Sequence, residues 1–171
     1  YRVHGKGSYK YDNVRIGLNS RLDTLQAAVL RVKLKAFKEH ELNDVNHAAE
    51  YYSQLIEGMT RYSNKPLQYV PEIPNGYVSS WAQYTLRLVS KDEEIRINRS
   101  VLQDILKQKG IPTMVYYPIP MSRQNAFKGY HRYVETPVAA DLSQTVLSLP
   151  MHPYLKREEI REVVRELVNC L

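Results

Sequence analysis

The sequence predicts an α/β fold in which a long N-terminal helix leads into a small sheet with flanking helices. Three observations carry that expectation. Leu22, Leu25, Val29, Val32 and Ala36 recur at spacings of three and four, the apolar stripe of one helix face. Ser80 to Val89 instead alternates, with Trp81, Tyr84, Leu86 and Leu88 among polar partners, the period of a half-buried strand. Beyond it, segments of helical and strand character follow one another, punctuated by Gly and Pro.

Tyr1 to Leu18 is rich in Gly, Lys and Tyr and holds no sustained period, so it reads as loop. At Asn19-Ser20-Arg21-Leu22-Asp23 the pattern changes. Asn and Ser are strong N-cap residues, and Asp23, three positions after Ser20, makes a capping box with a shorter acid. The helical pattern continues through Ala48 and Tyr52, with Gly58 as the expected C-cap. A helix from Leu22 to Glu57 would be about 54 Å long, so it either bends near Asn43 or forms a spine joining two domains. Pro66, Pro71 and Pro74, closing on Asn75-Gly76, form a connector to the Ser80–Val89 strand. Ile97 to Lys109 is a helix ended by Gly110, and Ile111 to Tyr117 a second strand stopped by Pro118 and Pro120. Thr136 to Ser148 contains a short helix and then an apolar strand, Thr145 to Leu149. After a turn at Pro150 and Pro153, Lys156 to Leu171 is a last amphipathic helix, with Ile160, Val163, Val164 and Leu167 at helical spacing. The expected domains are a loop segment 1–20, a long connecting helix 21–58 and a C-terminal α/β domain 59–171.

The 171 residues, 43% hydrophobic and 25% charged, have the composition of a folded globular protein rather than a disordered one. No stretch approaches the roughly 18 to 20 uninterrupted apolar residues of a membrane span. The start is polar and Tyr1 is not an initiator Met, which suggests a truncated chain without a secretory signal. The single cysteine, Cys170, allows no internal disulfide and suits a reducing cytoplasm, the expected location. The net charge of +6 invites a nucleic-acid reading, but Lys and Arg are interleaved with Glu and Asp along the helices. Such a field suits a site that receives phosphorylated anions. His40 and His47 lie seven residues apart without a third ligand nearby, and no Cys-rich pattern occurs, so no metal is expected. Serine-hydrolase, Walker and dinucleotide-binding signatures are absent, since Gly5-Lys6-Gly7 follows no strand.

Four stretches carry more than composition. They are His4-Gly5 followed by Ile16-Gly17-Leu18-Asn19-Ser20-Arg21-Leu22-Asp23-Thr24-Leu25-Gln26-Ala27-Ala28; Ile111-Pro112-Thr113 with Val115-Tyr116-Tyr117-Pro118; Pro120 to Gln124 with Ala126-Phe127; and Leu147 to Pro153. In this order they resemble the C-terminal half of the DegT/DnrJ/EryC1/StrS aminotransferases, from His4 to the last helix. Within that family the runs Val115-Tyr116-Tyr117-Pro118-Ile119-Pro120 and Ser148 to Leu155 look like enzymes acting on UDP-2-acetamido-3-keto-glucuronic acid.

The resemblance implies the C-terminal small domain of a fold type I, aspartate aminotransferase-like enzyme, assembled as a homodimer. It also implies pyridoxal 5'-phosphate as cofactor, glutamate as amino donor and a nucleotide-linked keto sugar as acceptor. The family's Schiff-base lysine lies upstream of the His-Gly motif, and Lys6 and Lys10 are too close to that motif to be it. The loop before the long helix reaches the neighbouring subunit's active site in this family. Its phosphate-contacting asparagine maps onto Asn19 and a sugar-side arginine onto Arg21. Tyr117 keeps a position that tends to face substrate, with Tyr116 beside it where many relatives carry His. Ser122 likewise stands where relatives often have His.

Read from the residues alone, each position has a second meaning. A helix N-terminus with an adjacent amide is a prepared anion site, yet Asn19 and Ser20 can equally just cap the helix. Arg21 can hold a carboxylate or phosphate bidentately, or pair on the surface with Asp23 or Asp44. Tyr116 and Tyr117 can line a cleft rim or belong to the core. The expected activity is sugar-nucleotide amination for polysaccharide synthesis. A PMP-dependent sugar dehydratase on the same fold and a non-catalytic stand-alone domain are the alternatives.

Overall fold

The computed structural model describes residues 22–60, 70–89, 98–124 and 136–171. The chain forms two compact units, residues 1–40 and 41–171.

In the first unit α1 (Thr24–Ala36) starts at Asp23, not at Ser20. The Asp23 carboxylate accepts from the Leu25 and Gln26 amides at 2.8 and 3.4 Å. An acid so placed also opposes the positive end of the helix dipole, which is why the start settles there. No side chain of α1 is buried, and Leu25, Val29 and Val32 of the expected stripe are all more than 60% exposed. A π-helical segment, Phe37–Glu41, follows.

The second unit opens with α2 (Leu42–Thr60). Val45, Ala48, Ala49, Tyr52 and Ile56 form its buried face. The expected stop at Gly58 fails: the helix runs to Thr60, whose hydroxyl donates to the Ile56 carbonyl at 2.7 Å. Gly58 can be helical like any residue, and nothing at this end forces it into a left-handed turn.

The sheet is smaller than the alternation suggests. β1 (Tyr84–Arg87) pairs antiparallel with β2 (Val146–Leu149), in the register Tyr84↔Leu149 through Arg87↔Val146. Trp81 has φ +45, which breaks the extended run expected from Ser80. Its indole donates to Asn46 Oδ1 at 3.0 Å, while Asn46 Nδ2 donates to the Ser79 carbonyl, so this bend is tied to α2. The expected strand Ile111–Tyr117 shrinks to one bridge, in which Met114 and Ser148 exchange both backbone bonds at 2.8 and 3.1 Å. Pro112 and Pro118 have no N–H to add to a ladder, which leaves little else to pair.

α3 (Arg99–Gln108) begins at Asn98, whose side chain accepts from the Val101 amide. Its end is a Schellman turn: Gly110, at φ +77, donates to the Lys107 carbonyl and Ile111 to that of Leu106. Ile111 and Leu106 are both buried, which supplies the apolar contact such turns use. α4 (Pro137–Thr145) runs directly into β2, and α5 (Arg157–Cys170) buries Ile160, Val163, Val164, Leu167 and Val168. α5 packs on α2 and α3 and closes one core with both strands. At its centre Tyr52 and Tyr84 stack at 5.0 Å. The Tyr52 hydroxyl donates to the Pro150 carbonyl, and that of Tyr84 bonds Ser53 at 2.7 Å. Burial pushes the Tyr84 phenol up to about 12 and that of Tyr52 higher still, so both remain neutral structural hydroxyls.

Candidate functional site

The residues that carry the site expectation divide between the two units. Asn19 and Arg21 lie outside the described residues. What the structure does fix is the helix start behind them. The amides of Leu25 and Gln26, which a bound anion would need, already have the Asp23 carboxylate as acceptor. Those two amides are therefore not open to a bound anion, because a second negative group there would meet the carboxylate.

Tyr116 and Tyr117 sit on a loop that leaves the sheet at Met114. The bridge to Ser148 anchors the loop's start, and Ser148 is itself held by its hydroxyl on Thr85 at 2.8 Å. Beyond the tyrosines, Pro118 and Pro120 restrict the backbone, and a 3-10 turn (Met121–Arg123) closes with the Arg123 amide on the Pro120 carbonyl at 2.9 Å. Gln124 Nε2 reaches back to the Ile119 carbonyl, and the Ser122 and Thr136 hydroxyls bond at 2.9 Å. The loop is thus tied at its start and around its closing turn.

Neither tyrosine is a core residue. Tyr117 is 74% exposed and Tyr116 38%, with their rings edge to face at 5.9 Å. Ile119 and Met121 are exposed beside them in sequence. An ordered loop that presents aromatic and apolar side chains with free hydroxyl donors can hold a polar ring with one flat face.

Sequence reasoning missed two other features. A cavity of about 470 Å³ lies between α2 and the start of α5, lined by Asp44, His47, Glu50, Tyr51 and Arg157. There the Arg157 guanidinium stands 4.8 Å over the Tyr51 ring, while Arg161 donates to the Tyr51 hydroxyl at 2.8 Å. Tyr51 thus engages both arginines, and neither predicted tyrosine takes part. The second is Glu41, buried at the helix junction and bonded by the Tyr154 hydroxyl. Only burial reveals it, since an acid in a helix otherwise reads as surface. His152 serves the turn between Pro150 and Pro153, accepting from the Tyr154 amide at 3.2 Å. Among the described residues no helix is long and apolar enough to cross a membrane, and no three His, Cys, Asp or Glu side chains are grouped to hold a metal.

Comparison with known proteins agrees with the four motifs. The UDP-2-acetamido-2-deoxy-3-oxo-D-glucuronate aminotransferase of Pseudomonas aeruginosa is 38% identical over 167 residues, 97% of this chain and 41% of that protein. The UDP-N-acetyl-3-dehydro-alpha-D-glucosamine 3-aminotransferase of Acidithiobacillus ferrooxidans is 33% identical over 170 residues, 99% of this chain and 41% of that protein. A solved DegT DnrJ EryC1 StrS aminotransferase from Brucella abortus superposes with a TM-score of 0.76 at 38% identity, covering 96% of this chain and 40% of that one. The chain thus spans about two fifths of the length of these relatives. The model of one family matches residues 1–168, nearly the whole sequence, and the chain belongs to it: the DegT/DnrJ/EryC1/StrS aminotransferase family.

Proposed function

We propose that this chain is the C-terminal portion of an enzyme that moves an amino group from glutamate to a nucleotide-linked 3-keto sugar. The keto sugar is a UDP-linked hexuronic acid, and the product feeds polysaccharide synthesis in the cytoplasm. The observation that carries the reading is the 38% identity, across 97% of this chain, to an aminotransferase named for a UDP-linked 3-oxo-glucuronate.

Pyridoxal phosphate is the cofactor of the family. The described residues do not fit it by themselves, because the first amides of α1 are already taken by Asp23. Asn19 is the residue of this chain assigned to its phosphate, in the active site of the second subunit of a homodimer. The cofactor would supply the electron sink for the transfer. This chain's residues would supply binding and orientation: Arg21 for the sugar carboxylate, Tyr117 and Tyr116 for the sugar face. The anchoring of the tyrosine loop at Met114 and around Pro120 to Gln124 supports that role, since a positioning surface works only if the backbone that carries it is held.

The test is the complete enzyme supplied with glutamate and the UDP-linked 3-keto uronate. Formation of 2-oxoglutarate that depends on the sugar nucleotide supports the reading. Glutamate turnover without any change in the sugar would refute it.

A further inference from the structure

We propose that Arg123 is a substrate-binding residue that takes the diphosphate of the nucleotide-linked sugar. The inference rests on the proposed function and adds a contact that the sequence motifs do not assign.

The first ground is the state of the arginines in the second unit. Arg87 is bonded to Asp141 at 2.9 Å, and Arg99 donates to the carbonyls of Ser143 and Val146. Arg157 lies over Tyr51, Arg161 holds the Tyr51 hydroxyl, and Arg165 pairs with Glu166. Each has structural work to do. Among the described residues Arg123 is the exception in this unit: its guanidinium has no hydrogen-bond, ion-pair or ring partner. Its five donors remain available to a ligand.

The second ground is the loop that carries it. A solvated arginine usually sits on a helix face or a mobile tip. Arg123 closes a 3-10 turn whose amide bonds, proline pair, Gln124 side chain and Ser122–Thr136 contact fix the backbone around it. Six residues earlier the same ordered loop presents Tyr117 at 74% exposure. One fixed loop therefore offers an aromatic ring and an unused planar cation. A sugar nucleotide needs both, because its rings require a flat apolar surface and its diphosphate a bidentate positive partner. Ser122 offers no charge of its own, so the positive contribution of this loop's turn rests on Arg123.

UDP itself is the probe, since it carries the diphosphate without the sugar carboxylate. Its affinity is measured by calorimetry on the complete enzyme and on Arg123→Gln and Arg123→Lys. Removing a charge-assisted bond should weaken UDP about 10-fold in Arg123→Gln. Arg123→Lys, which keeps the charge but loses the fork, should fall between. Melting temperatures should match across the three proteins, because no described side chain depends on this guanidinium. If Arg123→Gln binds UDP as tightly as wild type, the inference is overturned while the aminotransferase reading stands. If the wild-type enzyme does not bind UDP, the nucleotide-sugar reading fails and takes this inference with it.

Discussion

Asp23 and Arg21 sit two residues apart and show how far single residues can be read from sequence. The capping chemistry was legible, because an Asn-Ser-Arg-Leu-Asp run before an apolar stripe announces a helix start. Which residue caps it was not, since Ser20 and Asp23 both qualify and only the backbone decides between them. Asp23 closing on the Leu25 and Gln26 amides makes Asp23 the cap of α1, two residues after Arg21 in the sequence. Exchange of Arg21 for Lys retains the charge and loses the bidentate geometry. In the complete enzyme, Arg21→Lys should lower kcat/KM for the uronate substrate by about 5- to 150-fold, or roughly 1 to 3 kcal/mol. The neutral hexose analogue should be almost unaffected. Equal losses on both substrates would assign Arg21 to phosphate or to the fold.

Glycine makes the same point for elements. Gly58 and Gly110 look alike in sequence, each standing where a helical pattern ends. The structure separates them, with Gly58 inside α2 and Gly110 at φ +77 in the Schellman turn after α3. A Cβ would meet nothing within 4 Å at either position, so backbone conformation alone sets the outcome. Gly58→Ala should stabilise the protein by about 0.4 to 1 kcal/mol, through lower unfolded-state entropy. Gly110→Ala should destabilise it by about 1 kcal/mol, because alanine resists the left-handed region. Chemical denaturation of the two variants measures both, and a common sign would contradict the assignment of these helix ends. Helices were legible because apolar spacing persists over many residues, as in α3 and α5. Strands were less so. Ser80–Val89 alternates over its length, yet the turn at Trp81 and the two-stranded sheet shorten the strand to Tyr84–Arg87, with the Leu88 amide bonded beyond it to the Thr145 carbonyl at 2.8 Å. The Ile111–Tyr117 segment has strand composition, but its prolines admit only the bridge at Met114.

At the scale of the whole molecule, α3 and α5 are tied by Lys109 and Glu166 at 2.8 Å. Bonds from Lys109 and then Arg165 hold the Glu166 carboxyl below its ordinary value of 4.5. The Glu166 bond likewise raises the Lys109 ammonium above 10.5. The Glu166 contribution is therefore full above pH 4.5 and is lost as pH falls through the lower folded value. That of Lys109 is full below pH 10.5 and is lost as pH rises through its raised folded value. Wild type should be more stable than Glu166→Gln by a constant margin between these limits, and the margin should close on acidification. A margin that persists in acid would mean that packing, not charge, accounts for it. The family was legible from the sequence because its motifs are continuous strings, such as Ile16 to Ala28 and Leu147 to Pro153. Substrate identity is not, because the residues proposed to bind the sugar nucleotide come from two distant segments, Asn19 with Arg21 and Tyr116 to Arg123, and no local pattern encodes what such segments bind together. Amino transfer to a sugar nucleotide is the claim on which these assignments depend. Its most direct test follows isotopically labelled glutamate nitrogen, with the complete enzyme and the UDP-linked 3-keto uronate, by mass spectrometry of the sugar nucleotide. The account predicts that the label replaces the keto oxygen in the recovered UDP-sugar. Recovery of an unlabelled, dehydrated sugar or of unchanged substrate would contradict it.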